Sequence, residues 1–222
     1  MTMAKAYVFD AYGTLFDVHS AVARHRDAIG PKADAISDLW RAKQLEYTWT
    51  RTLMGAWLDF RALTAMALDF AAAKHGGLPA GLREELLAAY ETLDAFADVA
   101  PTLAALKAAG AKTAILSNGS RDMLANAVAS AGIGQWLDAS LSIDEIRAFK
   151  TTPAAYELVG RHLGVAPGEV SFQSSNRWDI AGAVAFGFRG VWINRTGQPD
   201  EYMDLPPARV LPGLGGLLAD HA

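Results

Sequence analysis

The sequence predicts an α/β protein, a parallel β-sheet flanked by helices and interrupted by one all-helical insertion. Three observations carry that reading. Tyr7, Val8 and Phe9 form a short apolar, β-favouring run closed by a turn at Gly13, which reads as a buried strand. The stretch from Ser20 to about Asp94 contains only helix formers and no strand candidate. From Asp98 onward strands and helices alternate, the pattern of a parallel sheet with helices on both faces and right-handed crossovers.

The first strand stops at Asp10, so its carboxylate sits at a strand end, where ligands bind in open α/β sheets; taken alone, an Asp there also reads as a turn cap. The helical block breaks at Gly30-Pro31, at Gly55 and at Gly76-Gly77-Leu78-Pro79-Ala80-Gly81, predicting helices near 20–29, 35–54, 57–75 and 81–92. Then come a helix over 101–109, a strand over Lys112–Ser117, a helix over Arg121–Ala131 and a short strand near 137–143. A helix over Pro153–Leu163, a strand over Val170–Ser174, a helix over 180–186 and a strand over Arg189–Ile193 complete the pattern. The expected division is a core of residues 1–16 and 98–222 and a cap of residues 17–97, lying over the carboxyl ends of the strands, where a lid closes a site and excludes water.

Composition narrows the function classes. With 222 residues, 51% hydrophobic and 20% charged, the chain buries a sizeable core. Its net charge of −4 comes without a run of lysines or arginines, which argues against nucleic acid or an anionic membrane as partner. The absence of cysteine excludes disulfides, thiolate catalysis and zinc-thiolate sites. Met1-Thr2-Met3-Ala4-Lys5 leads into the first strand without a hydrophobic signal core, and no apolar run approaches the roughly 18 residues of a membrane span. The expected location is the cytoplasm. The histidines, at 19, 25, 75, 162 and 221, lack metal-ligand spacing, and no Gly-x-Gly-x-x-Gly follows a strand.

Four polar sets follow strands and should meet at one sheet edge. Asp10 follows the first strand. Ser117-Asn118-Gly119-Ser120 follows the second, with Ser120 in N-cap position and backbone N–H groups suited to an anion. Lys150 stands just before a helix start, Thr152 as its N-cap and Pro153 as its first residue. A cation there opposes the helix dipole, which suggests that a nearby carboxylate holds it. Ser174-Ser175-Asn176-Arg177-Trp178-Asp179 follows the fourth strand, and Asp179 reads either as a functional acid or as a helix cap.

This order of residues is similar to that of the haloacid dehalogenase superfamily. Within it, Asp10-Ala11-Tyr12-Gly13-Thr14, Arg41 with Leu45-Glu46-Tyr47-Thr48-Trp49, Ser117-Asn118-Gly119, Lys150 and Ser174-Ser175-Asn176-Arg177-Trp178-Asp179 closely resemble the L-2-haloacid dehalogenases over nearly the whole chain. The resemblance implies a Rossmann-like parallel-sheet core of the haloacid dehalogenase fold with an inserted helical cap, pairing of two copies through the cap, and no cofactor. Phosphatases of the superfamily resemble Asp-x-Asp-Gly-Thr, the second acid protonating the leaving group, and here Tyr12 stands in its place. They coordinate Mg²⁺ with the nucleophile and a late Asp, commonly with an acid four residues before that Asp; counting back from Asp179 gives Ser175. Lys150 can supply the electrostatics instead, which favours a metal-free site.

The implied reaction is attack of Asp10 on the α-carbon of an (S)-2-haloalkanoate, an ester with inversion, and hydrolysis of that ester to an (R)-2-hydroxy acid. Arg41, Asn118 and the ring edge of Trp178 would receive the halide. Ser117 and the backbone N–H groups after Asp10, at Ala11 and Tyr12, would hold the substrate carboxylate, with Thr14 steadying the turn. On a helix Arg41, Leu45, Thr48 and Thr52 share one face, so Leu45 would line the alkyl pocket, and Phe60 would touch it. Asp179 is the first choice as general base for, or orienter of, the hydrolytic water, with Asn176 and Ser174 holding the water or the acyl oxygen and Tyr156 supporting Lys150; if Asp179 pairs with Lys150, its role is structural. The alternatives are a Mg²⁺-dependent phosphatase of the same fold and a catalytically silent ligand-binding member. The chain departs from the family pattern in having Lys150-Thr151-Thr152-Pro153 for Lys-Pro-Asp-Pro, and Gln173 where a small apolar residue is common.

Overall fold

Six parallel strands form the sheet expected from the alternation, in the order β3-β2-β1-β4-β5-β6, in a computed structural model that describes residues 4–220. Met1 to Met3 and His221 lie outside the described residues. The central strand, β1 (Ala6–Phe9), pairs with β2 (Lys112–Ser117) on one side and β4 (Val170–Ser174) on the other. β3 (Ala139–Ser142) extends the first side; β5 (Arg189–Ile193) and β6 (Arg209–Leu211) extend the second. All four residues of β1 are buried, as expected of a strand covered on both faces. Val8 and Phe9 each contribute about 1.5–3 kcal/mol by leaving water.

The strand order reverses at β1. The chain moves outward one way through β2 and β3 and the other way through β4, β5 and β6, so the carboxyl end of β1 is the topological switch point. Asp10 stands there and continues the ladder, its N–H donating to the carbonyl of Gln173 at 2.8 Å.

Six helices lie between β1 and β2, the first five of them in the helical insertion: α1 (Ser20–Arg24), α2 (Arg26–Ile29), α3 (Ala33–Met54), α4 (Phe60–Lys74) and α5 (Leu82–Tyr90). The single helix expected over 20–29 is two short ones. The chain bends at His25, sending Arg24 to Asp94 and the carbonyl of Thr92 while Arg26 pairs with Asp34. Along α3, Ile36, Trp40, Gln44 and Thr48 recur every four residues and are buried. Trp40 Nε1 donates to the carbonyl of Thr64 at 2.8 Å and Gln44 Nε2 to Thr64 Oγ1 at 3.0 Å, which fixes α3 against α4. α6 (Val99–Ala108), α7 (Arg121–Ala131), α8 (Pro153–Leu163) and α9 (Arg177–Phe186) complete the layers.

α6 starts two residues and α9 three residues earlier than expected, the latter because Arg177 tucks inside as the first helical residue. Ser120 and Thr152 occupy N-cap positions without side-chain caps. The Thr152 hydroxyl donates back to the carbonyl of Phe149 at 2.9 Å, and Ser120 Oγ has no partner. β6 was not expected: three residues after Pro206-Pro207 offer too little alternation to read. Among the described residues no helix is long and apolar enough to cross a membrane.

Candidate active site

The turn after β1 builds the centre of the site. Gly13 adopts φ +92°, a left-handed conformation that favours glycine, and lets the N–H groups of Thr14, Leu15 and Phe16 fold back onto the carbonyl of Ala11 at 3.2, 2.9 and 3.0 Å. That fold aims Thr14 Oγ1 at Asp10 Oδ2, to which it donates at 3.1 Å. The loop after β4 adds Asn176 Nδ2 at 2.8 Å and Ser174 Oγ at 3.3 Å on the same oxygen. Lys150 Nζ takes the other, Oδ1, at 3.1 Å. Both oxygens of Asp10 are thus engaged and the plane of its carboxylate is fixed.

Lys150 is buried, and its ammonium bridges Asp10 and Asp179 Oδ2, the latter at 2.8 Å. Tyr156 donates its hydroxyl to Asp179 Oδ1 at 2.8 Å. Tyr156 therefore reaches Lys150 through Asp179 and not directly. Burial alone would lower the pKa of Lys150; the charges of Asp10 and Asp179 outweigh it and the value rises. Burial pushes Asp179 up to about 6, with Asp10 adding to the rise and Lys150 and Tyr156 opposing it. Burial, reinforced by Asp179, also holds the Tyr156 phenol well above its usual range. The pairing of Asp179 with Lys150 is the arrangement under which its role is structural.

A narrow cavity of about 10 Å³ opens in front of Asp10, walled by Asp10, Tyr12, Arg41, Leu45, Phe60, Ser117, Asn118, Asn176 and Trp178. Apart from Ala11, whose carbonyl closes the nucleophile turn, every residue expected to bind substrate or halide lines it. Thr14, Lys150, Tyr156, Ser174 and Asp179 form a second layer behind Asp10. Arg41 comes down from α3, Nη2 donating to the carbonyl of Tyr12 at 3.2 Å and to Asn176 Oδ1 at 3.3 Å. Asn118 Oδ1 accepts from the N–H of Lys150 at 2.9 Å, leaving its NH₂ group on the opposite side of the amide. Ser117 Oγ accepts from the N–H of Gly119 at 3.0 Å. A larger groove, about 610 Å³, shares Trp178 with this cavity and has no charged side chain in its wall, so the chemistry sits in the smaller space.

Tyr90 escaped the sequence reading. It stacks on Tyr12 with ring centroids 5.6 Å apart and donates to Gln44 Oε1 at 3.3 Å, holding the cavity wall from the helical side. Leu82, Leu86 and Tyr90 recur at helical spacing, which marks a core stripe and nothing more. Gln173 sits behind the strand, bonded to Ser171 Oγ at 2.6 Å, and does not line the cavity.

Magnesium chemistry of the superfamily kind does not fit this donor set. The ammonium of Lys150 stands between Asp10 and Asp179, and among the described residues no group of three or more His, Asp or Glu is arranged to hold a metal. A strand-end carboxylate at the switch point, a helical segment reaching over it and a buried lysine beside it define a hydrolase class. The chain belongs to the haloacid dehalogenase-like hydrolases, whose family matches residues 4–187. Within that family it is similar to (S)-2-haloacid dehalogenase 1 of Pseudomonas sp. (strain CBS-3), 50% identical over 98% of this chain and 96% of the relative. (S)-2-haloacid dehalogenase 4A of Burkholderia cepacia is likewise 50% identical, over 91% of this chain and 88% of its own. The solved structure of L-2-haloacid dehalogenase from Xanthobacter autotrophicus with chloropropionic acid covalently bound superposes with a TM-score of 0.89 at 39% identity, covering 98% of this chain and 99% of that one.

Proposed function

We propose that this protein hydrolyses (S)-2-haloalkanoic acids to (R)-2-hydroxy acids and halide, without a metal or other cofactor, through an ester on Asp10. The observation that carries the reading is the small cavity in which Asp10 and Arg41 face one another across apolar walls, with Lys150 filling the place of a metal. A carboxylate oxygen of Asp10 forms a bond to the α-carbon as the carbon–halogen bond breaks, inverting the centre. The halide leaves with the electron pair toward Arg41, the Asn118 amide and the Trp178 ring edge. Ser117, with the backbone N–H groups of Ala11 and Tyr12, holds the substrate carboxylate, while Leu45 and Phe60 hold the alkyl chain. Carboxylates are weak nucleophiles in water, and alignment in a closed, water-poor site offsets that weakness.

Water then attacks the carbonyl carbon of the Asp10 ester, its hydroxyl staying on Asp10 and the former carboxylate oxygen leaving as the hydroxyl of the product. Asn176, Ser174 and Thr14, all on Oδ2, brace the acyl group during this step. Asp179 keeps Lys150 charged and in place. We further infer a core of residues 1–16 and 98–222, a cap of 17–97, a cytoplasmic setting, and a homodimer formed through the cap. Leu53, Met54, Met66 and Phe70, exposed on α3 and α4, support the pairing.

The test is halide release from each enantiomer of 2-chloropropionate with excess EDTA, beside Asp10→Asn. Chloride from the (S) form only, insensitive to EDTA and abolished in the variant, is the expected result. Magnesium-dependent release of inorganic phosphate from a phosphate ester, with no chloride, would replace the reading with a phosphatase.

A further inference from the structure

The loop after β5 contributes nothing to the cavity wall, yet it reaches the nucleophile turn from behind. Arg195 stands two residues past β5, and its Nη2 donates to the carbonyl of Thr14 at 3.1 Å. Thr14 is the residue whose hydroxyl donates to Asp10 and accepts from the N–H of Ser175 at 2.8 Å. We propose that Arg195 is a positioning residue for Asp10, acting through Thr14; the inference rests on the dehalogenase reading above.

The guanidinium is itself held on several sides. Nη1 and Nη2 form a bidentate pair with Asp98 at 3.0 and 2.9 Å, and the group lies 4.0 Å from the centre of the Phe96 ring. Asp98 occupies the N-cap position of α6 but does not cap it. Its Oδ2 goes to Arg195 and to the N–H of Leu214 at 2.7 Å, so the carboxylate forgoes its usual stabilising role at a helix start. Gly213 is matched to this arrangement, because a Cβ there would sit 2.7 Å from Asp98 Oδ2.

The segment carrying Phe96 is the chain's return from the helical block, and it is sewn to the same turn. Phe96 N–H donates to the carbonyl of Leu15 at 3.0 Å, and Phe16 bridges to Ala95. Arg195 thus ties the nucleophile turn, the return segment and the chain near Leu214 to one charge. A half-buried ion pair adds little stability by itself, but a planar fork with one donor left for Thr14 fixes a geometry.

Arg195 is not among the residues lining the cavity, so its loss leaves the substrate contacts of Arg41, Ser117 and Trp178 in place and loosens only the aim of Asp10. Small misplacements of a reacting group are costly to the chemical step. In halide release from (S)-2-chloropropionate, Arg195→Gln is expected to lower kcat by about tenfold and to leave KM within about twofold. In a Thr14→Ala background, where the link to Asp10 is already cut, the same substitution is expected to leave kcat unchanged.

An equal fold-loss in both backgrounds, or a folded Arg195→Gln enzyme with wild-type kcat, overturns the proposal. If Arg195→Gln does not fold, Asp98→Asn and Arg195→Lys are put through the same cycle, with the same two outcomes deciding. A wild-type chain that releases no halide removes the dehalogenase reading itself, a result distinct from either.

Discussion

Lys150 places its ammonium 3.1 Å from Oδ1 of Asp10, with the lysine side chain wholly shielded from water. The two residues stand 140 positions apart in the chain, and each answers the other's difficulty. A buried ammonium needs an anion, and a carboxylate that must stay ionised in a dry site needs a cation. Asp179, on the far side of Lys150 at 2.8 Å, balances the group a second time.

Replacing Lys150 by Met keeps the volume and removes the charge, leaving Asp10 and Asp179 to face each other across the vacated ammonium position. Loss of one partner from a buried ion network costs about 3–5 kcal/mol. The loss is expected to be larger at alkaline than at acidic pH, because Asp179, raised by burial and no longer held down by Lys150, takes a proton as pH falls and relieves the repulsion. Urea unfolding at an acidic and an alkaline pH checks this. Halide release is expected to fall by at least about a hundredfold, because two functions, charge and alignment, go together.

Asp179 also sets a pH dependence in the intact enzyme. Its pKa in the folded state is about 6 against 3.8 for a water-exposed aspartate, so between those values the folded chain holds a proton that the unfolded chain releases. Stability from this group is therefore present below that window and declines as pH rises through it. Activity runs the other way. Ionised Asp179 is needed to hold Lys150 against Asp10, so kcat/KM should fall as pH drops through about 6. The Tyr156 hydroxyl favours the ionised form, and Tyr156→Phe should move the acidic limb to higher pH. A pH profile of (S)-2-chloropropionate turnover in both enzymes decides it. An acidic limb that stays in place would mean that Asp179 is not the group titrating.

Most of the sheet and its polar edge were legible in the sequence because each relied on a short-range signal. β2, β4, β5, α7 and α8 have the bounds expected from apolar runs, caps and Pro153. The convergence of Asp10, Ser117, Asn118, Lys150 and Asn176 follows from parallel strands ending at one edge. What escaped were matters of tertiary contact. The break at His25, the stacking of Tyr90 on Tyr12 and the use of Asp98 for Arg195 instead of its own helix are choices between partners distant in the chain. The caps expected of Ser120 and Thr152 failed locally: the Thr152 hydroxyl turns back to the carbonyl of Phe149, three residues before it, and Ser120 Oγ makes no hydrogen bond. Thr151, a departure from the family pattern, fills the space that a side chain would need at Gly182, thirty-one positions along.

Gly182 gives the last prediction. It lies on α9 one turn beyond Asp179, where α8 and the loop after Lys150 approach closely. A Cβ there would fall 2.4 Å from the Tyr156 hydroxyl and 2.7 and 2.8 Å from Cγ2 and Cβ of Thr151, closer than atoms can stand. Because Tyr156 is buried and bonded to Asp179, its ring cannot swing clear without releasing that carboxylate. Gly182→Ala should therefore destabilise the fold by about 1–3 kcal/mol despite the better helix propensity of alanine. It should also shift the acidic limb upward in the manner of Tyr156→Phe. Gly168→Ala, with nothing within 4 Å of its new methyl, serves as the control and should change stability by less than about 0.5 kcal/mol. Thermal unfolding with pH profiles of both variants tests the argument. A Gly182→Ala enzyme that is destabilised but keeps the wild-type limb would show that the close packing supports the core alone and does not hold the hydroxyl of Tyr156 on Asp179.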